Sequence, residues 1–313
     1  MDLLLRRDFE AAALVRAHPP VIDDPHKRMC FELAGGAEVS GRIDVTRWRA
    51  TTPDAPRGTP VDDSGALEVL AEPTPFAYDD TPGVWHVNFA DPALFFGYGT
   101  ALLAQDELQC LEHPAIGSLR EALHAVGHAR TADREGATPV LVAGLERRCE
   151  LDTLPAPGRP HGLYGNEFAD APAATVRAAL RLVKPPTRSN LIAMAAPAYG
   201  QGTYRRAQLD AIFATAYTGF AAAVVETQRL WPGAPTEVRT GFWGCGAFGG
   251  NRTVMVALQL IAARRAGVSR VRFYTVRPDG LADFERGTAA AAQPIDALLV
   301  TLERERWGTS NGT

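Results

Sequence analysis

Cysteine and long apolar runs are both scarce in this chain of 313 residues. The four cysteines (Cys30, Cys110, Cys149 and Cys245) form no CxxC pair, which argues against a zinc ribbon or a disulfide framework. We find no 18-residue apolar segment, and the apolar run after Met1 is too short for a signal peptide. We therefore expect a soluble protein of the reducing cytoplasm.

An excess of charge of one sign is also lacking. The 32 Lys and Arg residues face 36 Asp and Glu residues, which gives a net charge of −4. This balance does not favour a general nucleic-acid-binding protein. Because arginine far outnumbers lysine, the composition is still compatible with a local basic patch. The composition, 46% hydrophobic and 22% charged, is ordinary for a globular protein.

Glycine, in contrast, is concentrated in one stretch. Five of the ten residues from Gly241 to Gly250 are glycine, and a helical pattern follows at once. Such a backbone can adopt positive φ and approach a ligand closely. Its N–H groups would lie at a helix N-terminus, where the helix dipole favours anions. The stretch therefore predicts a phosphate site.

Strand-like and helix-like segments alternate from residue 84 onward. The apolar patterns predict strands at 84–90, 139–145, 190–196, 236–240 and 269–276, and helices at 100–111, 175–183, 206–225, after Asn251 and at 295–307. This alternation indicates an α/β domain with a mostly parallel or mixed sheet.

The first 80 residues lack the clear alternation of strands and helices and contain no chemical motif. Weak patterns predict a helix at 8–15, one or two strands within 38–49, a Pro/Thr/Gly-rich connector at 50–60 and a short element at 67–70. We expect residues 1–80 to form an accessory segment and residues 81–313 to form the main domain.

The glycine stretch also satisfies the dinucleotide-binding pattern through Gly244, Gly246 and Gly249. However, the next strand ends at Val276 without the acidic residue that would hold a ribose hydroxyl. The pattern also lies near the C-terminus. An NAD-dependent oxidoreductase is therefore disfavoured, and so is a turn without a ligand, because five glycines cost much entropy.

The sequence of this stretch is Thr-Gly-Phe-Trp-Gly-Cys-Gly-Ala-Phe-Gly-Gly. It closely resembles the diphosphate loop of the poly(ADP-ribose) glycohydrolases, a branch of the macrodomain fold. Upstream, Val87–Asp91, Phe95–Gly97 and Gln105–Glu107 follow the order of the family's Val-Asp-Phe-Ala-Asn, Gly-Gly-Gly and Gln-Glu-Glu. Ala216–Phe220 is similar to a helix end of the family. The resemblance spans about 84–276.

The resemblance implies a macrodomain-like mixed sheet flanked by helices and an ADP-ribosyl hydrolase activity without metal or redox cofactor. It assigns the general acid to Glu107 and ribose positioning to Asp106 and Asn88. Cleavage of an O-glycosidic bond does need a protonated carboxyl group beside the leaving oxygen. The implied ligand-binding residues are Asn88, Phe95, Phe96, Gly97, Gln105, Tyr164, Gly244, Cys245, Gly246, Ala247, Phe248, Gly249 and Gly250.

The chain departs from the family at several of these positions. Phe95 and Phe96 replace two glycines, so we expect their side chains to fill the pocket or to stack on the ligand. Asn88 replaces an aspartate, and Asp106 replaces a glutamate. Several ligands stay open: poly(ADP-ribose), a single ADP-ribose on protein or nucleic acid, and a differently shaped nucleotide. A non-catalytic ADP-ribose-binding module and an antitoxin or immunity protein that reverses ADP-ribosylation also stay open.

Other candidate residues carry less weight. His124, His128 and Glu121 have zinc-compatible spacing but no third histidine or HExxH context, so surface histidines are favoured. Cys245 is interpreted as a small packing residue. Arg239 and Arg252 flank the glycine stretch, where each would either help to neutralise a diphosphate or simply be solvated.

Overall fold

The structure, a computed structural model, describes residues 1–52 and 67–309, and its centre is one eight-stranded mixed sheet. The strands are β1 Leu3–Glu10, β2 Arg42–Trp48, β3 Glu68–Glu72, β4 Val84–Phe89, β5 Ala132–Asp133, β6 Gly136–Ala137, β7 Val140–Leu151, β8 Leu180–Met194, β9 Glu237–Gly241 and β10 Arg270–Tyr274. The large sheet has the order β1-β2-β7-β8-β4-β9-β10-β3, and β5 and β6 form a separate hairpin.

Helices cover both faces of this sheet. They are α1 Ala11–Ala17, α2 Pro25–Leu33, α3 Gln105–Glu112, α4 Ala115–Ala125, α5 Glu167–Asp170, α6 Ala173–Ala179, α7 Arg206–Leu230, α8 Arg252–Ala266, α9 Gly280–Ala291 and α10 Ile295–Leu302. The predicted α/β class with a mixed sheet flanked by helices is confirmed.

Strand β8 shows why the two faces carry separate cores. Ile192 and Met194 pack against α7 and α8 on one face, whereas Leu191 and Ala193 pack against α4 on the other. Alternate side chains of a strand point to opposite faces, so a strand that is apolar throughout can be buried on both sides. Strands β8, β4, β9, β10 and β3 are mutually parallel, and β1, β2 and β7 form the antiparallel end.

The first 80 residues supply three strands of this same sheet. Strand β1 pairs with β2, β2 pairs with β7, and β3 pairs with β10 at the opposite edge. The segment predicted as an accessory piece thus forms both edges of the sheet of the main domain. Most of the connector predicted at 50–60 lies outside the described residues.

Several predicted boundaries were wrong. Helix α3 begins at Gln105 after the cap residue Ala104, not at Thr100, because residues 97–104 form an irregular loop. The helix predicted at 175–183 ends at Ala179, and β8 begins at the next residue.

Helix α7 is long and apolar enough to span a membrane by length and composition. However, 61% of its most apolar 18-residue segment is buried in the protein.

Candidate active site

Three parallel strands end at one edge of the sheet, and β4 lies between the other two, β8 and β9. The chain leaving β4 enters helices on one face, whereas α7 and α8 follow β8 and β9 on the other. Where such connections diverge, the carboxyl edge of the strands opens into a crevice that commonly binds ligands. A Cβ on Gly241 would lie 3.5 Å from Cζ of Phe89, so the ends of β9 and β4 adjoin there.

Gln105 fastens the start of α3 to the end of β4. Its Oε1 accepts a hydrogen bond of 2.8 Å from the Phe89 amide, and its Nε2 donates one of 3.0 Å to the Val87 carbonyl. Both ends of the side-chain amide are therefore used within the protein. This contact explains how the acidic pair that follows Gln105 reaches the carboxyl edge of β4.

Asp106 points towards the sheet, where it meets Asn88. Nδ2 of Asn88 donates hydrogen bonds of 2.9 Å to Oδ1 of Asp106 and of 2.9 Å to Oε1 of Gln109. Sγ of Cys110 lies 3.6 Å from the same Asp106 oxygen. Asn88 is fully buried, and its Oδ1 has no hydrogen-bond partner among the described residues.

Glu107 lies on the next position of the helix, against the loop that precedes it. Its Oε2 accepts a hydrogen bond of 3.0 Å from the amide of Ala104, the N-cap residue of α3. On the other side, a Cβ on Gly97 would overlap Oε1 of Glu107. The carboxylate is thus enclosed between Gly97 and Ala104 and only 7% of the residue is exposed.

Burial changes the acidity of both carboxyl groups. It raises the pKa of Asp106 to about 7, and the neighbouring charge of Glu107 adds to this rise. Burial also raises the pKa of Glu107, against the opposing effects of backbone hydrogen bonds and of the Lys27 ammonium. Two carboxyl groups on one helical turn therefore hold a proton well above the ordinary carboxyl range.

The two phenylalanines of the preceding loop have different environments. Phe95 is fully buried in the core with Leu94 and Ile116, although its φ is +53°. The expectation that the Phe95 side chain fills the pocket or stacks on a ligand is thus not met, because the side chain points into the core. Phe96 is 61% exposed, so its ring is accessible to a ligand.

The glycine stretch folds back on itself between β9 and α8. The Gly250 amide donates to the Gly244 carbonyl at 2.8 Å, and the Gly249 amide donates to the Gly246 carbonyl at 3.0 Å. Gly244 and Gly249 have φ of +73° and +72°, a conformation that side-chain-bearing residues adopt at a cost. Asn251 then caps α8 by accepting a hydrogen bond from the Val254 amide at 3.2 Å.

Within the described part of the chain, the amides of Gly246 and Phe248 donate no hydrogen bond. They lie in the loop just before the N-terminus of α8, a helix of 15 residues. Unpaired amides beside a helix N-terminus suit an anionic ligand. The phosphate site that the glycine content indicates stays a prediction.

The loop is anchored from behind by Trp243, whose Nε1 donates a hydrogen bond of 2.8 Å to the Met194 carbonyl at the end of β8. Cys245 packs beside it, with Sγ 3.6 Å from the Trp243 carbonyl. Burial raises the pKa of the Cys245 thiol, so the thiol stays protonated and is a poor nucleophile. These contacts agree with a packing role for Cys245.

Tyr199 is a residue of this region that the sequence did not reveal. Its ring lies 5.9 Å from that of Phe248, and its amide donates to the Phe248 carbonyl at 2.9 Å. Tyr199 is 70% exposed and has a φ of +57°. Nothing in the segment Pro-Ala-Tyr-Gly indicates this position, since it depends on the path of the loop after β8.

Tyr164 reaches the same crevice from the other side. A bridge between Leu103 and Gly165 holds its segment against the loop before α3. Burial raises the pKa of the Tyr164 hydroxyl to about 12, against a hydrogen bond with the Gln105 backbone, and the charge of Glu107 adds to the rise. The residue is nevertheless 41% exposed, so its hydroxyl is enclosed while part of its ring faces solvent.

The two flanking arginines are engaged elsewhere. Arg239 is buried and forms ion pairs of 2.6 Å with Asp79 and 2.9 Å with Glu237. Arg252 lies over the Phe242 ring at 4.8 Å and also pairs with Asp283 at 3.3 Å. The expectation that Arg239 helps to neutralise a diphosphate is wrong, because Asp79 and Glu237 already balance its charge.

The histidine pair does not form a metal site. Helix α4 ends at Ala125, so His128 does not share a helical face with His124. Glu121 accepts a hydrogen bond of 2.9 Å from the Tyr98 hydroxyl. Among the described residues, no group of three His, Cys, Asp or Glu side chains is arranged to hold a metal ion.

Comparison with known proteins finds a family whose model matches part of the chain. Residues 164–283 match the family model described as "Poly (ADP-ribose) glycohydrolase (PARG), Macro domain fold". The matched range contains Tyr164 and the glycine stretch, and it excludes Asp106 and Glu107. No curated protein matches the chain.

Solved structures of similar proteins extend over most of the chain. Poly(ADP-ribose) glycohydrolase from Thermomonospora curvata is 17% identical, with 90% of this chain and 85% of that chain covered and a TM-score of 0.44. The same enzyme bound to the inhibitor ADP-HPD is 16% identical, with 88% and 97% covered and a TM-score of 0.48. The enzyme from Deinococcus radiodurans in complex with ADP-ribose is 14% identical, with 90% and 93% covered and a TM-score of 0.43.

The family match falls on the segment that contains the glycine stretch. Residues 164–283 are therefore similar to the macrodomain of the poly(ADP-ribose) glycohydrolases.

Proposed function

We propose that this protein is a hydrolase that cleaves the O-glycosidic bond between ADP-ribose and a macromolecule, either a protein or a further ADP-ribose unit. The observation that carries the proposal is the buried pair Asp106 and Glu107 at the carboxyl edge of β4, beside the glycine loop that follows β9. An anion-binding loop and a carboxyl group of raised pKa are the two elements that this reaction requires.

Glu107 is the proposed general acid. In its protonated form it gives a proton to the leaving oxygen while the bond from that oxygen to the anomeric carbon breaks. Water then forms a new bond to the anomeric carbon and returns a proton to the Glu107 carboxylate, so the enzyme is unchanged. The raised pKa of Glu107 keeps more of the group protonated near neutral pH than an ordinary glutamate would be.

Asp106 and Asn88 are proposed to fix the ribose side of the cleft. Their mutual hydrogen bond of 2.9 Å holds both side chains below the start of α3. Because Oδ1 of Asp106 already accepts from Asn88 and from Cys110, Asp106 acts mainly by holding this network.

The glycine loop is proposed to bind the diphosphate through backbone amides, from Gly244 to Gly250. Phe96, Tyr164 and Phe248 are proposed to contact the sugar or the base, because each is at least partly exposed around the crevice. Gly97 lets the ligand approach Glu107, and Gln105 holds the helix in place. The proposal needs neither a metal ion nor a redox cofactor.

The decisive experiment compares the wild type with Glu107→Gln on mono- and poly-ADP-ribosylated proteins, with released ADP-ribose measured by chromatography. The wild type should release ADP-ribose, and Glu107→Gln should be slower by about 10²–10⁴-fold, the usual contribution of a general acid. Gln keeps the size of the side chain and the acceptor oxygen for the Ala104 amide, so the fold should be retained.

Binding of ADP-ribose, measured by calorimetry, serves as the control. Binding by both proteins without release from any substrate would show an ADP-ribose-binding module instead of an enzyme. Equal release by both proteins would place the acid elsewhere, with Asp106→Asn as the next variant. The ratio of rates on the two substrates decides between polymer and single ADP-ribose groups.

Two further parts of the proposal have simple tests. Activity in excess EDTA should equal that in its absence if no metal takes part. A cytoplasmic location, with ADP-ribosylated protein as the partner and no membrane association, would be tested by fractionation of cells that produce the protein. Protection of such cells from an ADP-ribosylating toxin would indicate the antitoxin role.

A further inference from the structure

Residues 21–28 of the N-terminal segment hold the loop that leads to the proposed acid. The amides of Asp23 and Asp24 both donate hydrogen bonds of 3.0 Å to the Gly99 carbonyl. The Val21 amide donates to the Tyr98 hydroxyl at 2.6 Å. A Cβ on Gly99 would overlap the Val21 carbonyl, so the two segments are in close contact.

Lys27 is the most deeply placed group of this contact. It is one of only two lysines in the chain, and 3% of it is exposed. Its Nζ donates hydrogen bonds of 3.1 Å to the Gly97 carbonyl and of 2.6 Å to the Leu102 carbonyl. A compact ammonium with three donors can serve several carbonyls at once.

The two carbonyls that Lys27 binds are the two ends of the loop beside Glu107. Gly97 borders Oε1 of Glu107, and the Ala104 amide, two residues after Leu102, donates to its Oε2. Lys27 therefore fixes the spacing between the two walls that enclose the carboxyl group. It acts through the backbone and is not itself a ligand of the reacting atoms.

The charges around Glu107 make Lys27 its principal cationic neighbour. Burial lowers the pKa of Lys27, and Glu107 is the strongest of the charges that oppose this. The other titratable groups that face the pair are Asp24 beside Lys27, Asp91 after β4, Tyr164, and Asp106 and Cys110 on α3. All of them are acids, so Lys27 supplies the positive charge of the cluster.

We propose that Lys27 is a positioning residue for Glu107 and that residues 21–28 form part of the active site. This inference depends on the proposed role of Glu107 as the acid. It gives a function to a segment in which the sequence shows no motif. A purely structural lysine would stabilise the loop without affecting the acidity of Glu107, and the experiment must separate these two roles.

The first test is a kinetic comparison of Lys27→Met, Lys27→Arg and the matched control Lys184→Met. Lys184 is the only other lysine and is exposed, so Lys184→Met should behave as the wild type. Lys27→Met should lower kcat by about tenfold to a hundredfold, the cost of misplacing a catalytic group. ADP-ribose affinity should change by less than about threefold, because the glycine loop is not touched.

The pH dependence of kcat distinguishes a positioning role of Lys27 from a purely structural one. A nearby cation lowers the pKa of a carboxyl group, so removal of Lys27 raises the pKa of Glu107. A general acid is active when protonated, so the alkaline limb of the kcat profile should move to higher pH in Lys27→Met. Lys27→Arg keeps the charge and should return the limb towards the wild-type position. An unmoved limb in Lys27→Met would show a purely structural role and overturn the inference.

A second measurement needs neither hydrolysis nor a folded Lys27 variant. Protein labelled with ¹³C-lysine gives two side-chain signals, and the Lys184→Met variant assigns them. The titration of Lys27 should occur at lower pH in Glu107→Gln than in the wild type, because a stabilising negative charge is lost. Equal titration in both proteins would refute the contact between the two charges. A shift without any hydrolase activity would retain the contact and refute the proposed function.

Discussion

Asn88 donates a hydrogen bond of 2.9 Å from its amide nitrogen to Oδ1 of Asp106, and both side chains are buried beneath the start of α3. The amide thus supplies a donor where the resembling glycohydrolases have an aspartate. With Asp106 and Glu107 adjacent, a third carboxylate at position 88 would add a like charge to a poorly solvated cluster.

Asn88→Asp should therefore destabilise the protein in a pH-dependent way. Burial and like charges would raise the pKa of the new carboxyl group above its unfolded value of about 4. Its cost is small where it stays protonated and grows as pH rises. We expect the free energy of unfolding to fall by about 3 kcal/mol at pH 8 and by less at pH 5, as measured by urea denaturation. Asn88→Ala is the control, and an equal loss for Asn88→Asp at both pH values would contradict the explanation.

Asp106 itself should make stability depend on pH. Its pKa is about 7 in the folded protein, against about 4 in the unfolded chain. The native state therefore binds more protons between these values, so the contribution of Asp106 is fully present below pH 4 and is lost as pH rises towards 7. Asp106→Asn should match the wild type in stability near pH 4 and exceed it by about 2–4 kcal/mol at pH 8.

Glu226 offers a control with the opposite sign. It is almost fully buried and forms hydrogen bonds of 2.6 Å with both Arg6 and Arg229, which hold its pKa below the ordinary value. Its stabilising contribution is present above the unfolded pKa and is lost as pH falls. Glu226→Gln should thus destabilise most at neutral pH. If Asp106→Asn gave the same pH dependence as Glu226→Gln, the raised pKa of Asp106 would be wrong.

Gly244→Ala should impair the glycine loop more than the same substitution impairs an open turn of similar φ. Gly244 has a φ of +73°, and a Cβ there would lie 2.5 Å from Cβ of Ala196. Gly267 at the end of α8 has a φ of +76° but no atom within 4 Å of its Cβ position, so Gly267→Ala carries the backbone strain alone. We expect both variants to lose about 1 kcal/mol of stability through strain. Only Gly244→Ala should lose further stability and bind ADP-ribose with a Kd that is at least about tenfold weaker. Equal Kd values in the two variants would contradict the assignment of this loop.

Gly97→Ala should affect catalysis without affecting the glycine loop. The added methyl group would overlap Oε1 of Glu107 and displace its carboxyl group. We expect kcat to fall by about a hundredfold while ADP-ribose affinity stays close to that of the wild type. Gly127→Ala, with a φ of +75° and no atom within 4 Å of the added carbon, carries backbone strain alone and should keep the wild-type kcat. A parallel loss of kcat and affinity in Gly97→Ala would indicate collapse of the whole cleft.

Much of the fold could be predicted because the parallel strands are apolar on both faces. The segment Val84–Phe89 and the end of β8 at 190–194 are recognised by largely apolar runs, and the helices by their period. The start of α3 was missed because residues 97–104 have apolar residues at helical spacing. Their conformation is instead set by contacts with residues 21–28, which lie far away in the sequence.

The candidate site was predictable where local sequence defines its chemistry. A glycine loop before a helix and an adjacent acidic pair can both be recognised along the chain. The burial of Phe95, the ion pairs of Arg239 and the position of Tyr199 depend on residues distant in sequence. No pattern around these residues indicates which way each side chain points.

The sequence by itself determined an α/β chain with a glycine-rich loop before a helix and a pair of carboxyl groups, because these depend on neighbouring residues. Only the tertiary structure decided that Asp106 faces Asn88 and that Glu107 lies between Gly97 and Ala104. It also decided that a lysine of the first 80 residues supports this enclosure. These outcomes depend on burial and on contacts between distant segments, which raise the pKa of a carboxyl group in ways that its neighbours in sequence do not reveal.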